Sequence, residues 1–359
     1  MRWFDRTGLA MNASETKGAI VFAGSPAEAA IGLGASAVAN MQDLSRRTLE
    51  GAGLGAGDRL LFAVRREGAP SVELLAQAIA PVVESVAVTG PAGRLRLLST
   101  IRALKPNVLV TTPCGAADFL ARLYMEFNVD PVELELAKIV LVGEIASPGL
   151  RKRLSKEFEA ELLEVYTDPV FGAALAARRN GGSWTLQDPG TLALAALDRD
   201  EITAEGLDGQ GELLLRPTWA HGLGAEAIRT GEMVRGVASD AGLFNHTVGE
   251  HVLARGQWVS LPLLRRQLKL IDGISRWALT IDRGDRTLDS VTLTVALDRE
   301  TLVANPMWKG RIQQAVAAAT PIHVEVKTEL RNPDDGLSRE AVIDLRGHHL
   351  GISRKELGA

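Results

Sequence analysis

The chain is poor in the residues that staple small secreted folds or build metal centres. It carries one cysteine, Cys114, in 359 residues. A single thiol excludes an intramolecular disulfide framework and a cysteine-rich metal site. Aromatic residues make up only 4% of the chain, and neither sign of charge dominates. Lys plus Arg number 40 against 44 Asp plus Glu, a net charge of −4. That balance lacks the basic surface of a general nucleic-acid binder, so no nucleic-acid partner is expected. No apolar run reaches the about 18–20 residues of a membrane span, so no membrane partner is expected either. The segment Met1-Arg2-Trp3-Phe4-Asp5 lacks the apolar core of a signal peptide. The expectation is a soluble, cytoplasmic protein, for which a homodimer is compatible. No internal repeat is visible.

What is present is a core-forming composition, with 46% hydrophobic and 23% charged residues. This excludes wholesale disorder. At roughly 150 residues per domain, the length predicts two domains or three. In the first half, short apolar runs alternate with helical patterns. Leu60 to Val64, Val82 to Val88, Val108 to Thr111, Ile139 to Val142 and Leu162 to Tyr166 read as strands covered on both faces. Val72 to Ala80, Gly93 to Leu104, Ala116 to Phe127 and Gly149 to Glu159 read as helices between them. This alternation predicts an α/β fold with a mostly parallel sheet.

The second half changes character. Residues 180–218 are rich in Gly, Asp and Thr around short apolar runs, which suggests antiparallel strands. From about residue 275 a small α+β pattern follows. Trp277 to Ile281, the alternating Val291 to Leu297, Ile322 to Leu330 and Ala341 to Leu345 read as strands, and Pro306 to Ala319 reads as a helix. The chain is therefore divided into a large α/β domain, 1–238, and a small α+β domain, 242–359. The hinge is expected near Ala238-Ser239-Asp240.

Several motif-like stretches have ordinary explanations. Gly51-Ala52-Gly53-Leu54-Gly55-Ala56-Gly57 follows a helix and precedes a strand, the reverse of a dinucleotide fingerprint, and reads as a connection. There is no Walker A lysine motif. His246 and His251 are five residues apart, off one helix face, and His348-His349 has no carboxylate at ligand spacing, so no metal site is expected. Cys114 reads as a small helix-start residue. Glu133 and Glu135 read as a solvated face.

The order of many segments resembles the phenylacetate-CoA ligase branch of the adenylate-forming enzymes. The matching pieces begin with Gly57-Asp58-Arg59-Leu60, Leu104 to Leu109 followed by Thr112-Pro113, and Val129 to Leu134. They continue with Val142-Gly143-Glu144, Glu164-Val165-Tyr166, Gly211-Glu212-Leu213 and Arg229-Thr230-Gly231-Glu232. Phe244 to Leu253, Trp277 to Leu297 and Val342 to Arg346 complete the series. The resemblance is carried by their order over roughly residues 20–350, not by any single piece. It implies a large adenylate-forming domain with a small C-terminal lid. It also implies ATP or AMP as the nucleotide and a small, aryl carboxylic acid as substrate. Whether coenzyme A is the acceptor stays open.

The departures from the family pattern fall on the chemistry. The phosphate loop S-S-G-T-T-G-K-P is replaced by Val21 to Glu28, which retains Gly24 and Ser25 but adds Glu28 and lacks the lysine. A carboxylate there repels a triphosphate, and fewer glycines leave fewer backbone N–H groups able to approach it. The family's magnesium-binding Glu is Val170, which cannot ligate a hard cation. Asp168 is the nearest substitute, so magnesium is left open and no other metal is expected. The ribose-binding Asp is Glu232. The lid lysine falls near Gly336-Leu337-Ser338-Arg339, with Arg339 the nearest cation. A donor aimed at the charge built up in adenylation is worth roughly 2.7–4 kcal/mol.

The resemblance thus implies nucleotide-binding roles for Gly24, Ser25, Gly143, Glu144, Tyr166, Thr167 and Glu232, and substitute catalytic roles for Asp168 and Arg339. Gly143, Glu144, Tyr166, Thr167, Asp168 and Glu232 are expected to line one cleft, because strand ends of an open α/β sheet are where ligands bind. AMP is expected to bind better than ATP. Three functions follow: a divergent carboxylate-activating ligase, a non-catalytic nucleotide- or aryl-acid-binding protein, or an ATP-independent acyl transferase.

Overall fold

The computed structural model describes residues 2–6, 18–23, 29–64, 72–90, 93–219, 227–235, 243–284, 287–332 and 339–357. Gly24, Ser25, Glu28, Leu337, Ser338 and the expected hinge at Ala238-Ser239-Asp240 lie outside the described residues.

Strand β1 (Trp3–Asp5) precedes the hairpin β2 (Gly18–Ala23) and β3 (Ala29–Gly34), which leads into helix α1 (Ala35–Gly51). A run of βα units follows: β4 (Arg59–Ala63), α2 (Val72–Ile79), β5 (Ser85–Thr89), α3 (Arg94–Leu104), β6 (Val108–Thr111) and α4 (Pro113–Arg122). It ends with β7 (Lys138–Val142), α5 (Pro148–Phe158) and β8 (Glu161–Thr167). Two more strands, β9 (Ala174–Arg179) and β10 (Thr185–Leu186), close a seven-stranded sheet in the order β10-β9-β8-β7-β6-β4-β5. β4 to β8 are parallel, and β9 and β10 run antiparallel to them. The chain moves from β4 outward to β5, then crosses back to place β6 on the other side of β4. The C-terminal ends of β4 and β6 therefore form a topological switch point, where open α/β sheets bind ligands.

The helices begin where local chemistry satisfies their free N–H groups. Thr112 caps α4 by accepting from Gly115 N at 3.1 Å, with Pro113 in the first turn. Ser147 caps α5 from Leu150 N at 3.2 Å, ahead of Pro148. A hydroxyl followed by proline is a favourable start, since proline lacks only an N–H the helix could not use. The expected helix Ala116 to Phe127 starts three residues earlier, at Pro113, and its last turn, Leu123–Phe127, is a π-helix. The strand expected from Val82 begins at Ser85.

A second, six-stranded sheet holds β11 (Leu192–Ala195), β12 (Ile202–Glu205), β13 (Gly211–Leu215), β14 (Ala227–Val234) and β15 (His246–Thr247), together with β1, which pairs parallel with β14. The inner faces of the two large sheets share one core, which includes Phe171, Leu175, Leu194, Leu213 and Ile228. Next come the hairpin β16 (His251–Ala254) and β17 (Gln257–Ser260), helix α6 (Leu261–Leu268), and the strands β18 (Ile274–Asp282) and β19 (Ser290–Leu297). Helices α7 (Glu300–Val303) and α8 (Pro306–Ala319), strands β20 (Glu325–Leu330) and β21 (Glu340–Asp344), and α9 (Arg354–Leu357) finish the chain. The four-stranded sheet β20-β19-β18-β21 has its own core, gathered from Val252 to Val326. The β16–β17 hairpin serves both sides. Val252 and Val259 pack into the C-terminal core, while Leu253 and Trp258 pack into the core of the large sheets. That alternation is the two-residue period of a strand used on both faces.

Candidate functional site

A cavity of about 90 Å³ opens at the C-terminal ends of β7 and β8. Gly143 and Glu144 follow β7; Tyr166, Thr167 and Asp168 end β8; Glu232 comes from β14 on the other sheet, and all six line the cavity. Tyr166 Oη donates to Glu232 Oε2 at 2.6 Å, with both side chains buried. Glu232 is brought there by a backbone turn at Gly231, whose φ is +77° and whose N–H donates to Glu212 Oε1 at 2.9 Å.

Four aromatic rings also line this cavity: Tyr166, Trp184, Phe244 and Trp258. In a chain with 4% aromatics such convergence is informative. Trp184 and Trp258 come from distant segments and lie in none of the matching motifs; the only sequence signal is Trp184 itself, an isolated aromatic after Gly181-Gly182. Arg6 was also missed. Its guanidinium stacks on Trp258 at 3.8 Å and donates to the Thr230 carbonyl.

The carboxyls of this cavity are protonated more readily than free ones. Burial pushes Glu232 up to about 8, against the opposing pull of Arg6 and the Tyr166 hydroxyl. Burial, the Glu232 charge and its hydrogen bond push the Tyr166 hydroxyl well up too. Glu144 is also raised by burial, with Arg283 pulling the other way. Glu144 Oε2 accepts from Cys114 N at 2.7 Å, at the start of α4, and Arg283 Nη2 stands 3.9 Å from Oε1. Oε1 itself is buried and has no hydrogen-bond donor among the described residues.

Of the two expected catalytic residues, Asp168 lines the cavity with its oxygens engaged by backbone, and Arg339 lies elsewhere. Asp168 is a structural clamp. Its Oδ1 accepts from Val170 N at 3.0 Å and Phe171 N at 2.6 Å, and its Oδ2 accepts from Ala173 N at 2.7 Å. Both oxygens are consumed in closing the turn after β8, because a tight turn leaves N–H groups that a short carboxylate can satisfy. Burial still pushes Asp168 up to about 6. Val170 is fully buried in the shared core. The residues present therefore do not fit a magnesium ion at this turn. Arg339 lines a different concavity, with Arg265, Lys269, Arg276 and Trp277, and does not line the first cavity.

A second cavity, of about 530 Å³, adjoins the first at the switch point. Val64 after β4 and Thr112 before α4 line both. Cys114, Arg94, Arg122, Arg255 and Leu288 line only the second. Its far wall is supplied by the C-terminal half of the chain. Gly256, at φ +68°, packs so close to Thr112 that a Cβ there would meet Thr112 Cγ2 at 2.8 Å. Thr287 Oγ1 donates to Asp118 Oδ1 at 3.2 Å, and Arg283 reaches Glu144. Burial and the Glu144 charge push the Cys114 thiol well up, so it stays protonated.

No family model and no curated protein matches this sequence. Solved structures do match it, at low identity. The crystal structure of 2-hydroxyisobutyryl-CoA ligase with 2-HIB-AMP and CoA, in the thioesterification state, superposes with a TM-score of 0.74 at 14% identity, over 92% of this chain and 75% of that one. The same enzyme in the postadenylation state, with R3-HIB-AMP, gives 0.51 at 16% identity over 93% and 74%. A double mutant of o-succinylbenzoate CoA synthetase from Bacillus subtilis, bound to its product analogue OSB-NCoA, gives 0.64 at 12% identity over 92% and 69%. The chain has the fold of the adenylate-forming CoA ligases.

Proposed function

We propose that the chain activates a small carboxylic acid with an adenine nucleotide in the first cavity and passes the acyl group to an acceptor arriving through the second. The convergence of Gly143, Glu144, Tyr166, Thr167 and Glu232 on one cavity beside the switch point carries this reading. In it, Glu144 Oε1 receives the exocyclic amine of the adenine, the Tyr166 ring lies against the base, and Glu232 holds the ribose hydroxyls. The acid is small and aryl, facing Val64, Val72, Leu75 and Leu141. Coenzyme A, present in the 2-hydroxyisobutyryl-CoA ligase structure, is the first acceptor to test. A cavity of about 90 Å³ is smaller than a drug-sized site of about 300 Å³ or more. The same reading divides the chain into domains 1–238 and 242–359, supported by the separate core of the four-stranded sheet. Arg339 reaches the nucleotide only if that sheet swings.

One observation favours a second reading, a protein that binds the nucleotide or the acid without catalysis. The turn that stands where the family pattern holds magnesium has its Asp168 oxygens accepting from backbone N–H groups and Val170 buried. Pyrophosphate exchange across a panel of carboxylic acids separates the two readings, since only the ligase incorporates label into ATP. Calorimetry with AMP, ADP and ATP, with and without magnesium, tests the site itself. AMP is expected to bind more tightly than ATP. Magnesium-dependent ATP binding tighter than AMP overturns the binding-only reading.

A further inference from the structure

The floor of the first cavity includes a residue with a buried donor that a nucleotide at Tyr166 and Glu232 does not explain. Glu164 lies two residues before Tyr166 on β8, about 6.6 Å deeper along the strand. Its carboxylate accepts from Arg178 Nε at 2.6 Å and Nη2 at 3.1 Å, and from Arg151 Nη1 at 3.3 Å. Arg178 is fully buried, yet its Nη1 has no acceptor among the described residues. The same guanidinium sits 4.8 Å from the centre of the Trp184 ring. Trp184 Nε1 is a second buried donor without an acceptor, and both Trp184 and Glu164 line the cavity. A buried donor left unsatisfied costs about 1–3 kcal/mol. One such donor, on a residue lining a cavity whose walls also include Val64, Val72, Leu75 and Leu141, marks a polar spot beside an apolar stretch. Such spots orient ligands.

We infer that this floor is a subsite for an oxygen acceptor at the far end of the acid. The acid then carries a hydroxyl, oxo or second carboxylate group opposite its reacting carboxylate, and Trp184 Nε1–H donates to it. A plain hydrocarbon end leaves Trp184 Nε1 unsatisfied and shields it further from water. The inference rests on the carboxylate-activating reading for the identity of the ligand as an acid.

The test is calorimetry of the full chain with two matched pairs, benzoate against 4-hydroxybenzoate and pentanoate against glutarate. The oxygen-bearing member of each pair is expected to bind about 10-fold more tightly or better, because a site built to hydrogen-bond an oxygen rejects the analogue lacking it. Trp184→Phe keeps the ring and removes the N–H, and should bring each pair to within about twofold. Equal or tighter binding of the plain acids by the unmodified chain overturns the inference. So does a preference that survives Trp184→Phe, or no binding by any of the four acids. AMP titration and pyrophosphate exchange on the same samples keep the two ideas apart. AMP binding and exchange without the acid preference defeat the subsite alone. The acid preference without AMP binding or exchange defeats the ligase reading and leaves the subsite standing.

Discussion

Two groups of buried carboxylates in this molecule are handled in opposite ways. Asp289 and Asp344 belong to the C-terminal sheet. Burial pushes Asp289 up, but the Arg283 hydrogen bond at 2.8 Å and the charge of Arg346, at 2.6 Å, hold it below the usual carboxylate range. Asp344 is likewise held low by Arg346, against burial. Glu232 and Asp168 belong to the first cavity. Glu232 bonds a neutral phenol, with the Arg6 charge pulling against burial, and Asp168 accepts from backbone N–H groups, and for both burial prevails. A buried acid saturated by guanidinium groups is cement between segments. A buried acid left short of charge is held at a free-energy cost, and that is the pattern of a site that meets ligands.

The sharpest way to break this comparison is to remove charge from the cemented group. Asp289→Asn leaves the buried Arg346 and the partly buried Arg283 beside an uncharged amide. The expected loss is about 3–5 kcal/mol of stability, read from denaturant midpoints. A loss no larger than that of Glu232→Gln would erase the distinction.

A smaller effect is expected where the two regions touch. Gly256→Ala puts a side chain at φ +68° and drives a methyl group into Thr112. About 1–3 kcal/mol should be lost. Small-angle scattering should show the hairpin displaced from α4.

Glu232→Gln tests the other carboxylate group through pH. An unfolded Glu titrates near 4.5, whereas folding raises Glu232 to about 8. The folded state thus binds its proton more tightly. The stabilisation this provides is fully present below the unfolded value and is lost as pH rises through the folded one. The glutamine variant has no such titration. Its stability relative to the unmodified chain should therefore rise between about pH 5 and pH 9, measured by thermal unfolding across that range. A parallel pair of curves would show that Glu232 is ordinary.

The smallest effect belongs to the surface. Arg122 pairs with Asp118 and Glu126 but is 39% exposed. Arg122→Ala should change stability by less than about 0.5 kcal/mol. A larger loss would mean that exposed pairs near the second cavity also act as cement.

Much of the architecture was legible in local pattern. The strand at Val108 to Thr111 and the helix at Pro306 to Ala319 have the expected bounds, because continuous apolar runs and a cap followed by proline are signals contained in neighbouring residues. The second is capped by Asn305 in the same way as α4 and α5. Part of the site was legible too. Gly143-Glu144 and Tyr166-Thr167 follow strands of a parallel sheet, so their place at the ligand-facing edge follows from the β-α-β order. What was not legible is what each side chain does there. Asp168 carries the right chemistry for a metal ligand, and nothing in its neighbours announces that three backbone N–H groups would fold back onto it. Arg339 stands beside the expected lysine position in sequence, yet faces another concavity.

The sequence by itself determined the alternation of elements, the caps that start the helices and the strand ends that border a cavity, because these depend on residues a few positions apart. The tertiary structure decided which distant groups meet. Arg6 lies over Trp258, Tyr166 bonds to Glu232 from another sheet, and the Arg178 guanidinium lies over the Trp184 ring. These pairings join residues separated by up to hundreds of positions, and their energies come from burial in a shared core, where water no longer competes for each charge and hydrogen bond.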